Sequence, residues 1–105
     1  MSLPWGLTFK FLKVLVSGLW YFSPLLLVLA GIIMLLGYVA GKWEGWSRTD
    51  SLYWAFVTAT TVGYGDFRPI RRRSRIIAIF IAVLGLLTTG IIVALGVNAA
   101  TKALG

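Results

Sequence analysis

Glu44, Asp50 and Asp66 are the only acidic residues in the 105-residue chain, and no His or Cys accompanies them. Scattered carboxylates without an imidazole or thiol partner are a poor basis for general acid/base or nucleophilic chemistry. The usual zinc and haem ligands are missing from the composition, as is any disulfide. Neither an enzyme nor a protein-bound cofactor is expected. What remains is hydroxyl and main-chain chemistry, and the residues suited to it lie together in Thr60-Thr61-Val62-Gly63-Tyr64-Gly65-Asp66.

The elements that must position this string are set by a very apolar composition. The chain is 59% hydrophobic, which is too apolar for a water-soluble domain of this length. No residue between Lys13 and Lys42 is charged, more than the 20 or so positions that cross a hydrocarbon core as helix. A first span is placed at residues 20–41, with Trp20, Tyr21 and Phe22 ahead of Pro24 at its entry and Tyr38 and Trp43 at its exit, as at two head-group layers. A cleaved signal peptide fits less well, because the apolar run is too long for one. Gly37 and Gly41 form a small-xxx-small pair that would admit another helix, although glycine is common in membrane helices and that plainer account is preferred. A second uncharged run between Arg75 and Lys102 places another span at residues 75–101. Ahead of the first span, Trp5, Phe9, Leu12 and Val16 share one helical stripe, with Lys10, Lys13 and Ser17 on another side and Val14 out of pattern. An interfacial helix over residues 1–18 fits, with a frayed tail as the alternative.

Between the spans, residues 51–67 carry Asp66 as their only charge, too few to cross and return as two helices and too apolar for a solvated loop. A re-entrant element is implied. Thr49 or Asp50 is expected to cap a short helix over residues 50–60, and Gly63 and Gly65 oppose its continuation. Non-helical backbone at membrane depth is tolerated only inside protein or beside water. Residues 61–66 must therefore be buried against other subunits or line a pore. There is no internal repeat or linker, and the chain reads as a single domain.

The string from Thr60 to Asp66 resembles the selectivity-filter signature of the potassium channel family, and the order span, short helix, signature, span is similar to its two-transmembrane, prokaryotic-type members. The resemblance covers roughly residues 20–101. It implies an all-α membrane protein in which two transmembrane helices flank a re-entrant pore helix and filter loop. It also implies a homotetramer around a central pore, and a multi-pass protein of a prokaryotic plasma (inner) membrane that conducts potassium passively, with the ion as permeant ligand. The physics suits these residue types. A dehydrating potassium ion needs replacement oxygens, and a ring of backbone carbonyls from four chains supplies them. For successive carbonyls to face one axis the backbone must visit left-handed conformations, which glycine reaches without a Cβ penalty.

By the same resemblance, the carbonyls of Thr61, Val62, Gly63 and Tyr64 ligate the ion, the Thr61 hydroxyl is innermost and the Gly65 carbonyl lies near the outer mouth. The side chains of Val62 and Tyr64 would pack behind the filter, with Thr60 and Asp66 supporting it. Tyr64 favours potassium over sodium, since nonselective relatives carry Asp there. Tyr53 stands where relatives place a tryptophan that bonds the filter aspartate, so its hydroxyl is a candidate partner for Asp66. Trp54 is a candidate donor to the Tyr64 hydroxyl of a neighbouring chain, and two amphipathic interface aromatics are the plainer account. Val57 replaces the Glu of some bacterial relatives, so that buried pair is missing and the sequence does not say how the filter inactivates. On the second span Gly85 stands at the family's hinge position, and Leu86, Thr89 and Val93 would line the cavity or gate. Gly85 could instead be a packing glycine, the preferred account for Gly90. Thr88 and Thr89 can also bond back to their own helix carbonyls. The pore helix would aim its C-terminus, with its partial negative charge, at the cavity.

The formal charge of +7 points to anionic lipid head groups rather than nucleic acid, because the aromatics do not alternate with the arginines. Lys42, Arg48, Arg68, Arg71, Arg72, Arg73 and Arg75 flank the re-entrant segment, against Lys10, Lys13 and Lys102 opposite. A simple count therefore puts the filter mouth in the cytoplasm. The resemblance implies the reverse orientation, and the more specific signal is followed here. Arg71, Arg72, Arg73 and Arg75 are candidates for holding anionic lipid or for pairing with acidic groups between subunits, with a solvated charge run as the alternative. They cluster in a loop and do not form a voltage sensor, which spaces arginines along its own helix. With nothing after Gly105, a minimal channel or one missing a cytoplasmic gating domain is expected. Two rivals keep the same segments: a nonselective monovalent cation channel, and a non-conducting membrane anchor or interaction subunit.

Overall fold

The computed structural model describes residues 4–63 and 65–105. Four helices follow one another, α1 (Pro4–Tyr21), α2 (Ser23–Glu44), α3 (Arg48–Ala59) and α4 (Arg72–Leu104), and no strand is found among the described residues. The expectations that fall on Tyr64, and on the first three residues of the 1–18 helix, lie outside the described residues.

The first two helices meet at a proline kink rather than a loop. Pro24 has no N–H to offer the Trp20 carbonyl, and the Ser23 hydroxyl donates to that carbonyl instead, at 2.7 Å. The amide bonds from Phe22 to Gly18 and from Leu26 to Phe22, both 3.0 Å, carry the helical pattern through the bend. The aromatic group expected at the entry of the first span is thus divided, with Trp20 and Tyr21 closing α1. At the far end α2 stops in a Schellman turn: Gly45 lies at φ 78°, its N–H reaches Lys42 O, and the Trp46 N–H donates to Gly41 O at 2.9 Å.

This turn delivers the chain directly to Ser47, whose extended backbone and hydroxyl, accepting from the Asp50 N–H at 3.1 Å, make it the cap of α3. The cap expected at Thr49 or Asp50 therefore lies earlier, and both residues sit in the first turn, where the Asp50 carboxylate complements the helix dipole.

Glycines decide how closely α3 is held. A Cβ on Gly37 would collide with Ala55, one on Gly41 with Ser51, and one on Gly85 with the main chain of Ala59. The small-xxx-small pair of α2 is thus the seat of α3, against the plainer account preferred from sequence. Ile33, Ala40, Trp54, Ala55, Ala59 and Ile81 form the buried core around this contact.

Helix α1 packs along the C-terminal half of α4, where a Cβ on Gly18 would stand 3.0 Å from Leu95 Cδ2. Phe11, Val14, Leu15 and Gly18 are partly buried, whereas the stripe expected to bind an interface, Trp5, Phe9, Leu12 and Val16, is exposed. Val14, out of pattern for that stripe, belongs to the packed face.

Among the described residues, two helices are long and apolar enough to cross a membrane, α2 with mean hydropathy 2.3 and α4 with 2.8. Only 22% and 11% of their most apolar stretches are buried within the chain, unlike the core helices of a soluble protein. The molecule measures 57 × 25 × 20 Å, too thin a bundle to cover these faces itself. α4 runs unbroken through Gly85, and its 33 residues make it about 50 Å long at 1.5 Å per residue.

Candidate ion pathway

The last carbonyls of a helix have no partners within it, and the chain leaving α3 turns back to supply them. Thr60 N–H donates to Phe56 O at 3.0 Å, Thr61 N–H to Thr58 O at 3.1 Å, and the amides of Val62 and Gly63 both reach Val57 O, at 3.1 and 3.3 Å. The Thr60 hydroxyl joins the same cluster through Phe56 O at 2.9 Å and Val57 O at 3.3 Å. Part of the negative end of α3 is therefore spent on its own loop. Val57, which has no carboxylate to offer, acts here through its carbonyl, and its side chain is buried.

The amides of Thr61, Val62 and Gly63 are thus all donated back to α3. In this segment positive φ is found at Thr61, 63°, Gly63, 53°, and Gly65, 83°. Among the described residues no hydrogen bond is donated to the carbonyls of Thr61, Val62 or Gly63. Thr61 is the single non-glycine residue held in this region among those described, at a cost of about 1–2 kcal/mol, and its hydroxyl donates to the Thr60 carbonyl at 2.6 Å. The Gly65 carbonyl is already engaged by Arg68 Nε at 3.2 Å.

The supporting residues are partly brought together. Trp54 is 5% exposed and rests on Trp46 with ring centroids 5.2 Å apart. Tyr53 meets Phe67 edge to face at 6.1 Å. Asp66 is exposed and accepts from the following Phe67 N–H at 3.2 Å. On α4, Gly85 is buried against the end of α3, while Leu86 and Val93 are 59% and 58% exposed and Thr89 is exposed as well. Thr88 bonds back to Leu84 O at 2.9 Å. A Cβ at Gly90 would meet open space, so packing within this chain does not explain that glycine. An apolar hollow of about 270 Å³ opens between α2, α3 and α4, with Thr60, Gly85 and Thr89 on its wall.

Of the cluster Arg71, Arg72, Arg73 and Arg75, three are anchored within the chain. The Arg73 guanidinium lies over the Trp43 ring at 4.5 Å, Arg75 Nε donates to Pro69 O at 3.1 Å, and Arg71 Nε is 4.0 Å from the Glu44 carboxylate. Arg71 thus has its acidic partner in its own chain.

Glu44 is the residue that sequence reasoning missed. Its side chain is 3% exposed and accepts from the amides of Ile70 and Arg71 and from the Ser74 hydroxyl, the last two at 3.2 Å. Arg71, the first residue of the α4 boundary, caps nothing with its own side chain. The carboxylate at the end of α2 therefore caps α4 from across the chain and fixes where the segment leaving residues 60–66 re-enters helix. The one signal for it was a lone acid at the end of a span followed by a helix start without Ser, Thr, Asp or Asn. Glu44→Ala is expected to lower the stability of the purified protein by about 2–3 kcal/mol, because the Arg71 amide at the helix boundary, the Ile70 amide just before it and the buried Ser74 hydroxyl lose their acceptor. Glu44→Gln, offering one acceptor oxygen to three donors, should lose roughly half of that. Denaturation in detergent measures both, and stabilities equal to the parent protein would contradict the capping role.

A family described as ion channel matches residues 11–102. Over 69 residues, 63% of this chain and 12% of the relative, the sequence is 42% identical to TWiK family of potassium channels protein 7 of Caenorhabditis elegans. Over 67 residues, 64% and 10%, it is 36% identical to potassium voltage-gated channel subfamily KQT member 4 of Homo sapiens. Over 42 residues, 40% and 7%, it is 50% identical to potassium voltage-gated channel subfamily A member 5 of Homo sapiens. The chain spans only about a tenth of the length of these relatives. They are animal proteins and lend nothing to the expected prokaryotic setting. No solved structure gives a significant match. Family and relatives are ion channels rather than enzymes, and with two membrane-length apolar helices around a turned-back loop, this chain is a membrane protein that belongs to the ion channel family.

Proposed function

We propose that four copies of this chain surround a potassium-selective pore, with the carbonyls of Thr61, Val62, Gly63 and Tyr64 as ion ligands and the Gly65 carbonyl near the outer mouth. The observation that carries this reading is the positive φ at residues 61, 63 and 65 together with amides turned back on Val57, which leaves a run of carbonyls uncommitted. Such oxygens can replace the hydration shell of a potassium ion once a ring of chains brings them to one axis. The names of the relatives, all potassium channels, support the choice of ion. The exposed apolar side chains of Phe56, Phe80, Val83 and Leu87 are surface that neighbouring copies and lipid would cover.

Potassium efflux from liposomes containing the purified protein tests the reading. Flux above that of empty vesicles is expected, with a bi-ionic reversal potential favouring potassium over sodium. No flux would point to a non-conducting membrane subunit, and a reversal potential near zero to a nonselective pore.

Anionic lipid at the start of α4 is part of the proposal. Arg71, Arg73 and Arg75 are held in place by Glu44, Trp43 and Pro69, so a phosphate meets guanidinium groups that are already ordered. Each basic residue near a charged surface adds about 1 kcal/mol of attraction. Changing Arg71, Arg72, Arg73 and Arg75 together to Gln is expected to erase any gain in flux and thermal stability that anionic bilayers give over neutral ones. Unchanged lipid dependence in that variant would rule the site out.

A further inference from the structure

Trp46 lies outside the string and outside every helix, yet two of the segments around the string meet on its ring. One face of the contact is Trp54 of α3, with centroids 5.2 Å apart and planes inclined at 60°. The other is Phe67, the residue after Asp66, at 5.5 Å and 72°. Trp46 is itself fixed to the end of α2 by its N–H bond to Gly41 O at 2.9 Å. Trp46 and Phe67 both pack against the buried core that contains Trp54. The loop from Thr60 to Asp66 is therefore pinned on both sides, at α3 before it and at Phe67 after it, by one ring supplied from the α2–α3 turn.

We infer that Trp46 is a positioning residue for the ion pathway, setting the separation between the two ends of the carbonyl-bearing loop and so the spacing of its oxygens. The inference rests on the channel reading above. Aromatic pairs at these distances and inclinations are attractive beyond their area, and a ring holding two partners resists their drifting apart. Selectivity between two monovalent ions depends on the number and geometry of the coordinating carbonyls. Loosening the clamp should therefore alter the choice of ion in channels that still assemble.

The test compares the parent protein, Trp46→Phe, Trp46→Leu and Phe67→Leu in reconstituted bilayers, reading the sodium-to-potassium permeability ratio from bi-ionic reversal potentials. That ratio is a property of each open channel, and a merely structural role, which changes the amount of assembled protein, leaves it where it is. Trp46→Phe keeps an aromatic face and is expected to stay within about twofold of the parent, while Trp46→Leu raises the ratio by about tenfold, as the loss of two ring contacts allows. Phe67→Leu breaks the same clamp from the other side, raises the ratio likewise, and decides the matter if Trp46→Leu does not assemble. A parent-like ratio in an assembled Leu variant overturns the inference. So does failure of both Leu variants to assemble, which would make the contact a folding element only. Absence of potassium flux in the parent protein overturns the channel reading and the inference with it, and is told apart because it needs no variant.

Discussion

Gly63→Ala is expected to abolish potassium flux while leaving the helices in place. Gly63 sits at φ 53°, and a Cβ there would meet no atom within 4 Å in this chain. The penalty comes from backbone conformation rather than collision. Holding an L-residue in the left-handed region costs about 1–2 kcal/mol. In the proposed tetramer four chains must adopt the conformation together, which multiplies this to about 4–8 kcal/mol, a loss of roughly a thousandfold or more in the population of the conducting loop. Gly90→Ala is the matched control, since a Cβ there also enters open space but the residue lies inside α4 without a positive φ. Liposome flux should fall to background in the first variant and persist in the second. Flux in Gly63→Ala equal to that in Gly90→Ala would remove the left-handed backbone from the account.

The second large effect belongs to Gly85. A methyl group there would fall on the main chain of Ala59, which cannot rotate away as a side-chain tip can. The end of α3 has to move, and with it Thr60 and the amides gathered on Val57. Overpacking of this kind costs about 1–3 kcal/mol per chain. Gly85→Ala should therefore lower the thermal stability of the purified assembly and its flux together. A hinge alone predicts a different pattern, with reduced opening and a melting temperature unchanged from the parent. Melting curves in detergent separate the two, and the unbroken course of α4 through this residue favours the packing outcome.

The elements were legible where local pattern carries them. Two uncharged runs marked α2 and α4 because a bilayer demands length and apolarity from a continuous segment, and Gly63 and Gly65 marked the end of α3. The boundaries moved for reasons that involve hydrogen-bonding partners. Ser47 caps α3 because the Schellman turn at Gly45 ends just before it, and Thr49 and Asp50 offered equally good capping chemistry two and three residues too late. The packed face of α1 was hidden for a different reason: the large Trp5, Phe9 and Trp20 stay exposed while the small Gly18 lies against Leu95. Long-range contacts left no local trace. Glu44 meets Ile70, Arg71 and Ser74 across 26 to 30 residues, and no periodicity encodes such a pairing. Trp46 carries no local sign of its role, which shows only with its two ring partners in view. The arginine cluster shows the same gap, since three of its members find anchors on the chain itself that a count of charges cannot reveal.

In the proposed pore, main-chain oxygens of residues 61–65, repeated around an axis, stand in for the water around a monovalent cation. Anomalous diffraction from crystals of the assembled protein soaked in rubidium or thallium, both potassium mimics, addresses it directly. A row of anomalous peaks is expected on a fourfold axis, spaced between successive rings of carbonyls from Thr61 to Gly65. An assembly without that axis, or an axis with no peak along these residues, would contradict it.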